Sequence, residues 1–209
     1  ISGFNEDEVT PDCEDSYFFT STFAIWGWAS WRRVVDKWEG DYAFLRDKQA
    51  MKRLQSLVRQ RGYRKDFLPM CSEHQQSGKE YYESIFWASM LLNSGLAIMP
   101  SKNLVNNLGL SDNSTHFSGS IQTTPKAYRR IFTMKRYELE FPLRHPRYVI
   151  ENIDYKERLY KTNAWGHPFI KMGRSMEELF LNLRYGNFSI ITKAIKRRVN
   201  KWLGKDQHV

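Results

Sequence analysis

The chain has 209 residues, 41% hydrophobic and 26% charged, which suits one domain with a core, or one domain plus a tail, and excludes a disordered chain. The formal net charge is +9. A basic balance fits anionic partners of several kinds, but no zinc-finger spacing, RNA-binding aromatic motif or helix-turn-helix signal accompanies it, so nucleic acid is not an expected partner.

Residues 1–20 read as a strand end and an acidic loop (Glu6, Asp7, Glu8, Asp12, Glu14, Asp15) closing on Tyr17-Phe18-Phe19. The run from Ile25 to Arg33 predicts a turn entering a helix that reaches about Trp38. Met51, Leu54, Leu57 and Val58 recur at helical spacing, which predicts an amphipathic helix over 47–60 stopped by Gly62. After a polar stretch from Ser72 to Gly78, residues 80–93 predict a second, apolar helix ended by Asn93-Ser94-Gly95. Leu96 to Met99 is a short buried strand stopped by Pro100, and Asn106 to Gly119 is a polar loop. Tyr137 to Phe141 alternates like a strand.

Two helices follow in the tail. The first carries the stripe Met176, Leu179, Phe180, Leu183; the second has Phe188, Ile191, Ile195, Val199 and Trp202 on one side and Lys193, Lys196, Arg197, Arg198 and Lys201 on the other. A basic amphipathic helix suits either an anionic membrane surface, through 187–203, or a docked helix with a solvated face. No apolar run approaches the ~20 residues of a membrane span. Cys13 and Cys71 lie far apart without metal-ligand spacing and read as free thiols of a reducing compartment. The first residue is Ile, which reads as a start inside a longer precursor or a trimmed fragment.

Three constellations can carry chemistry. Trp26, Trp28 and Trp31 place three indoles within six residues, more than one helix face can bury at 100° per residue, so at least one is expected to line a groove. The aromatic share of 15% fits an aromatic core as well as stacking on sugar rings. Arg32 or Arg33 beside the indoles is a fork for a phosphate. Glu83 stands near the start of the apolar helix; it is either a carboxylate favoured by the helix dipole or a general base. Thr115-His116 sits in the polar loop, where a His can ligate a divalent metal or contact a phosphate, or do neither.

Taken in order, five segments resemble bacterial GT-A-type, family 2-like glycosyltransferases of polysaccharide biosynthesis. They are Ile1-Ser2-Gly3-Phe4-Asn5; Trp26-Gly27-Trp28-Ala29-Ser30-Trp31-Arg32; Tyr82-Glu83-Ser84 through Gly95-Leu96; Asn106-Asn107-Leu108-Gly109 with Ser114-Thr115-His116; and Glu140-Phe141-Pro142-Leu143 with His145-Pro146. The resemblance covers about residues 1–160 as the acceptor-side part of the domain, with 161–209 as a helical basic C-terminal extension. It implies an α/β chain: the C-terminal part of a GT-A, Rossmann-like fold with added C-terminal helices. It further implies inverting transfer of a sugar from a nucleotide-diphospho-sugar donor to a saccharide or lipid-linked acceptor in surface polysaccharide synthesis. Glu83 matches the catalytic acidic position; Trp26, Trp28, Trp31 and Arg32 match the substrate-binding tryptophan motif; His116 matches a metal or diphosphate contact. Mg²⁺ or Mn²⁺ is the implied cofactor, its main acidic ligands expected upstream of residue 1. Asp12-Cys13-Glu14-Asp15 falls after that point and is not assigned the metal. The implied location is the cytoplasm, peripheral to the inner face of the cell membrane. A non-catalytic carbohydrate- or membrane-surface-binding module is the alternative.

Overall fold

The structure, a computed structural model, describes residues 1–108 and 121–202, except the side chains of 197, 198, 201 and 202. It is of mixed α/β class, mostly helical with a small two-stranded sheet. Two compact units are distinguished: 1–107 with 133–167, and 108–132 with 168–209. Residues 161–167, grouped with the tail by sequence, lie in the first unit.

In the first unit, β1 (Tyr17–Thr20) pairs antiparallel with β2 (Ala97–Pro100), Tyr17 opposite Pro100 and Thr20 opposite Ala97. Between them run α1 (Arg32–Val35), a 3₁₀ turn (Ala43–Arg46), α2 (Lys48–Leu57), α3 (Arg61–Ser77) and α4 (Tyr82–Leu92). The helix expected to reach Trp38 is one turn only, Arg32 to Val35, and none of its four residues is buried. Asp47 caps α2, its carboxylate accepting from Gln49 N at 2.8 Å and Ala50 N at 3.1 Å.

Gly62 does not stop a helix; it sits in the first turn of α3. Gln60 Oε1 accepts from Gly62 N at 2.8 Å and caps the new helix. A Cβ on Gly62 would lie 2.8 Å from Gly166 N and 3.0 Å from Trp165 Cα, so only glycine lets this turn meet that backbone. Tyr63, Phe67 and Cys71, four apart, form the buried stripe of α3. Burial pushes the Cys71 thiol up to about 12, which makes it an inert core residue.

α4 is apolar on nearly every side because two clusters share it. Ile85 and Ala88 join Tyr42, Leu54, Tyr63, Phe67 and Tyr160 in one. Phe86 and Met90 join Phe18, Phe23, Met99, Tyr155 and Leu159 in the other. α6 (Ile153–Thr162), not foreseen from sequence, closes this side: Asn152 Oδ1 caps it through Tyr155 N at 2.8 Å, and Asn152 N donates to Phe19 O at 2.8 Å. Residues 137–141 form no strand. Phe141 is 76% exposed and Leu139 is also exposed, so the alternation has no core to face.

The second unit holds α5 (Lys126–Thr133) but for its last residue, α7 (Pro168–Arg184) and α8 (Phe188–Trp202). Both tail helices appear where the periodicity put them. Asn182 is buried at their turn, donating to Glu178 O at 2.9 Å and accepting from Asn187 Nδ2 at 3.2 Å. Arg174 lies 5.1 Å over the Tyr128 ring.

Candidate functional site

Two of the five motif segments, 1–5 and 26–32, meet at one junction with residues 104 and 105, which lead into a third. Gly3 N donates to Trp26 O at 3.3 Å, Ala29 N to Ile1 O at 3.1 Å, and Leu104 N to Gly3 O at 3.0 Å. Backbones approach this closely because two positions lack a side chain. A Cβ on Gly3 would sit 3.1 Å from Gly27 O and 3.2 Å from Val105 Cγ1; one on Gly27 would sit 2.9 Å from the same methyl. Val105 is thus wedged between two glycines.

Buried amides lock the junction. Asn5 N donates to Asn103 Oδ1 at 3.0 Å, and Asn5 Nδ2 to Thr10 Oγ1 at 2.9 Å and Pro100 O at 2.8 Å. Asn103 Nδ2 reaches Asn106 Oδ1 at 3.0 Å and Lys135 O at 3.2 Å. Both asparagines are fully buried, and a buried amide is tolerated when its donors and acceptors are met. Ser114, Thr115 and His116 lie outside the described residues.

The tryptophans divide. Trp26 meets Phe4 edge-on at 4.6 Å, and Phe4 is fully buried. Trp28 faces inward, 5.4 Å from Phe86 and 6.0 Å from Trp38. Trp31 is 42% exposed at the N-cap of α1, with the guanidinium of Arg33 5.0 Å over its ring. Arg32 is exposed. So Trp31 is the indole open to a ligand, and Arg33 rather than Arg32 is the cation stacked on it.

Trp38 links this motif to the start of α4. Its ring lies 5.6 Å from Phe86 and 5.9 Å from Tyr82, the residue before Glu83. Its buried indole N–H has no hydrogen-bond partner among the described residues. This aromatic was not singled out in the sequence, since it falls beyond the compact tryptophan run.

Glu83 occupies the first turn of α4 and is half-buried. Tyr81 at the N-cap makes no side-chain capping bond, so the positive end of the helix dipole acts on this turn. Beneath it, the fully buried Ser84 hydroxyl is shared with Tyr42 OH at 2.6 Å and His74 Nδ1 at 2.7 Å. It also donates to Tyr81 O at 3.2 Å, and His74 stacks on Tyr81 at 3.8 Å. Burial pushes the Tyr42 phenol up, and the nearby Glu83 charge adds to the rise. Glu83 therefore rides on a turn held by a hydroxyl–imidazole–phenol network. No spacing in the sequence announces that network, because Tyr42, His74 and Ser84 come from three separate elements.

Removing the Ser84 hydroxyl leaves the Tyr42 hydroxyl short of its partner inside the protein. Ser84→Ala is expected to cost about 1–3 kcal/mol in urea unfolding. Adding Tyr42→Phe to it should cost less than the sum of the two single changes, since both ends of the bond are then apolar. Strict additivity would show that this hydrogen bond does not couple the pair.

The fifth segment packs against Ser16 and Tyr17. Ser16 Oγ accepts from Arg144 N at 2.9 Å, and Tyr17 OH lies 3.1 Å from His145 Nδ1. Together with Lys102, paired to Glu140 at 2.8 Å, it borders a cleft of about 350 Å³. Two carboxylates of the acidic loop are paired within the fold: Arg158 donates to Asp7 at 2.9 Å and to Asp12 at 2.8 Å.

Among the described residues, no three His, Cys, Asp or Glu side chains stand together as a metal site. No family model, curated protein or solved structure matches the chain.

Proposed function

We propose that this chain carries the acceptor side of a GT-A-type, inverting glycosyltransferase of surface polysaccharide synthesis. The observation that supports it is the junction itself. Segments 1–5 and 26–32, which resemble one family in sequence, interlock through backbone bonds and two glycines, and residues 103–105, which lead into the further motif at Asn106-Asn107, close on them. From that junction an aromatic path of Trp28, Trp38 and Tyr82 runs to the turn that bears Glu83.

On this reading the Glu83 carboxylate takes the proton of an acceptor hydroxyl as its oxygen bonds to the anomeric carbon of a nucleotide-diphospho-sugar. The bond from that carbon to the diphosphate oxygen breaks, and the electron pair leaves with the nucleoside diphosphate. Trp31 offers an exposed ring face for a saccharide, and Arg33 or Arg32 a cation for phosphate. Mg²⁺ or Mn²⁺ is part of the family pattern, but the described residues do not assemble a site for it, and no step is drawn through a metal. The acceptor is a saccharide or a lipid-linked saccharide, and the reaction belongs to the cytoplasm, at the inner face of the cell membrane. Among the described residues no helix is long and apolar enough to cross a membrane.

The test is turnover by the full-length protein on a panel of nucleotide-diphospho-sugars, read as release of the nucleoside diphosphate with and without added oligosaccharide or lipid-linked acceptors. Release that depends on one donor and rises with acceptor is the expected result. No release with any donor, together with retained oligosaccharide binding, overturns it in favour of a non-catalytic carbohydrate-binding module, a reading that the exposed Trp31–Arg33 pair also fits.

A further inference from the structure

α7 wears its apolar stripe on the outside. At 100° per residue, Phe169, Met172, Met176, Leu179, Phe180 and Leu183 fall within an arc of about 100°, and they are 47 to 81% exposed. The packed side of the helix is a different one: Ile170, Arg174, Glu177 and Leu181 are half-buried there, and Asn182 is buried. α8 repeats the pattern, with Phe188, Ile195 and Val199 on one face and 45 to 62% exposed. Lys196 borders that face and Lys193 follows it round. Two adjoining helices that both turn large apolar side chains to solvent mark a surface awaiting an occupant.

Charge says which occupant. Residues 168–202 carry eight Lys or Arg against two Glu, an excess of six positive charges within a chain whose net charge is +9. A second copy of the same surface would bring like charge against like. A bilayer with anionic headgroups offers opposite charge over an apolar interior. The long Lys and Arg stems allow the cations to reach headgroups while the Phe, Met and Leu side chains enter the acyl boundary.

We propose that α7 and α8 form a monotopic anchor that lies in the plane of an anionic lipid surface, with the α7 stripe as its main insertion face. The basic run of α8, which by itself suggests a membrane surface, supplies the electrostatic attraction. The anchor stands independently of the transferase reading, since neither Glu83 nor the tryptophan junction takes part in it.

Co-sedimentation of the full chain with vesicles tests this, using phosphatidylcholine alone and phosphatidylcholine with phosphatidylglycerol. Binding to the anionic vesicles should be at least about tenfold tighter, and should weaken as salt is raised. Met176→Asp with Phe180→Asp should cut it at least about tenfold, as should Lys193→Glu with Lys196→Glu, both with far-ultraviolet dichroism and melting unchanged. These positions are exposed, so the fold should tolerate them. Equal binding to both vesicle types, or wild-type binding by either double variant, overturns the anchor. So does a dimer in sedimentation velocity that Met176→Asp with Phe180→Asp dissociates, because the stripe then covers a second copy.

Discussion

Glu83→Gln in the full-length protein is expected to lower transfer by about 10²–10⁴-fold while leaving nucleotide-sugar binding close to normal. The substitution keeps the shape but turns one acceptor oxygen into a donor NH2 and leaves no group basic enough to take the proton. Two readings of Glu83 now predict different numbers. As a helix-end carboxylate in the first turn of α4, it contributes roughly 0.3–1 kcal/mol through the dipole, and its loss would appear in unfolding with little change in turnover. As a general base, its loss would appear in turnover with little change in unfolding, and the rate that remains would lose its acid-limb pH dependence. Turnover within a few-fold of wild type removes Glu83 as the base. The network below the turn serves as a control. Ser84→Ala loosens what holds the turn, so its rate loss should keep the wild-type pH profile.

Gly27→Ala should destabilise the first unit by about 2–5 kcal/mol, from two sources that can be separated. The backbone at Gly27 has φ of +59°, which costs an alanine roughly 1–2 kcal/mol. The new methyl also arrives 2.9 Å from Val105 Cγ1. Val105 has little room to yield, because the same methyl also meets Gly3 and its β-branched side chain has few rotamers. Overpacking of this kind costs about 1–3 kcal/mol. Val105→Ala in the same chain should recover the overpacking part and leave the backbone part. Denaturant unfolding of the four proteins in the cycle gives the coupling directly. If Gly27→Ala is as stable as wild type, the junction is looser than its distances indicate.

Legibility followed how local the cause was. α2, α4 and the tail helices were readable because their apolar periods fall within one element, and β2 because Pro100 bounds a short apolar run. α3 was missed because Gly62 reads as a helix stop and Ser72 to Gly78 as a polar stretch, although the helix runs from Arg61 to Ser77. What overrides them is tertiary: Gly62 is needed where the turn meets Trp165 and Gly166, and Tyr63, Phe67 and Cys71 bury the face around Pro69. Residues 137–141 alternate like a strand, yet the described residues form no ladder with them beyond the bond from Tyr137 N to Asn103 O at 2.8 Å. At the site, the tryptophan run was conspicuous, but its division into Trp26 on Phe4, Trp28 inward and Trp31 outward depends on partners elsewhere in the chain. Trp38 and the trio of Tyr42, His74 and Ser84 gave no local signal at all.

The lock between Asn5 and Asn103 joins residues 98 positions apart. Closing so long a loop costs chain entropy before any contact repays it, whereas α2, α3 and α4 are assembled from near neighbours. The helical layer can therefore form early and the amide lock late, after the transition state. In kinetic terms, damage at Asn5 or Asn103 shortens the lifetime of the folded state and leaves the rate of reaching it nearly untouched. The junction of residues 1–5, 26–29 and 103–105 would then also be the first part of the unit to come undone.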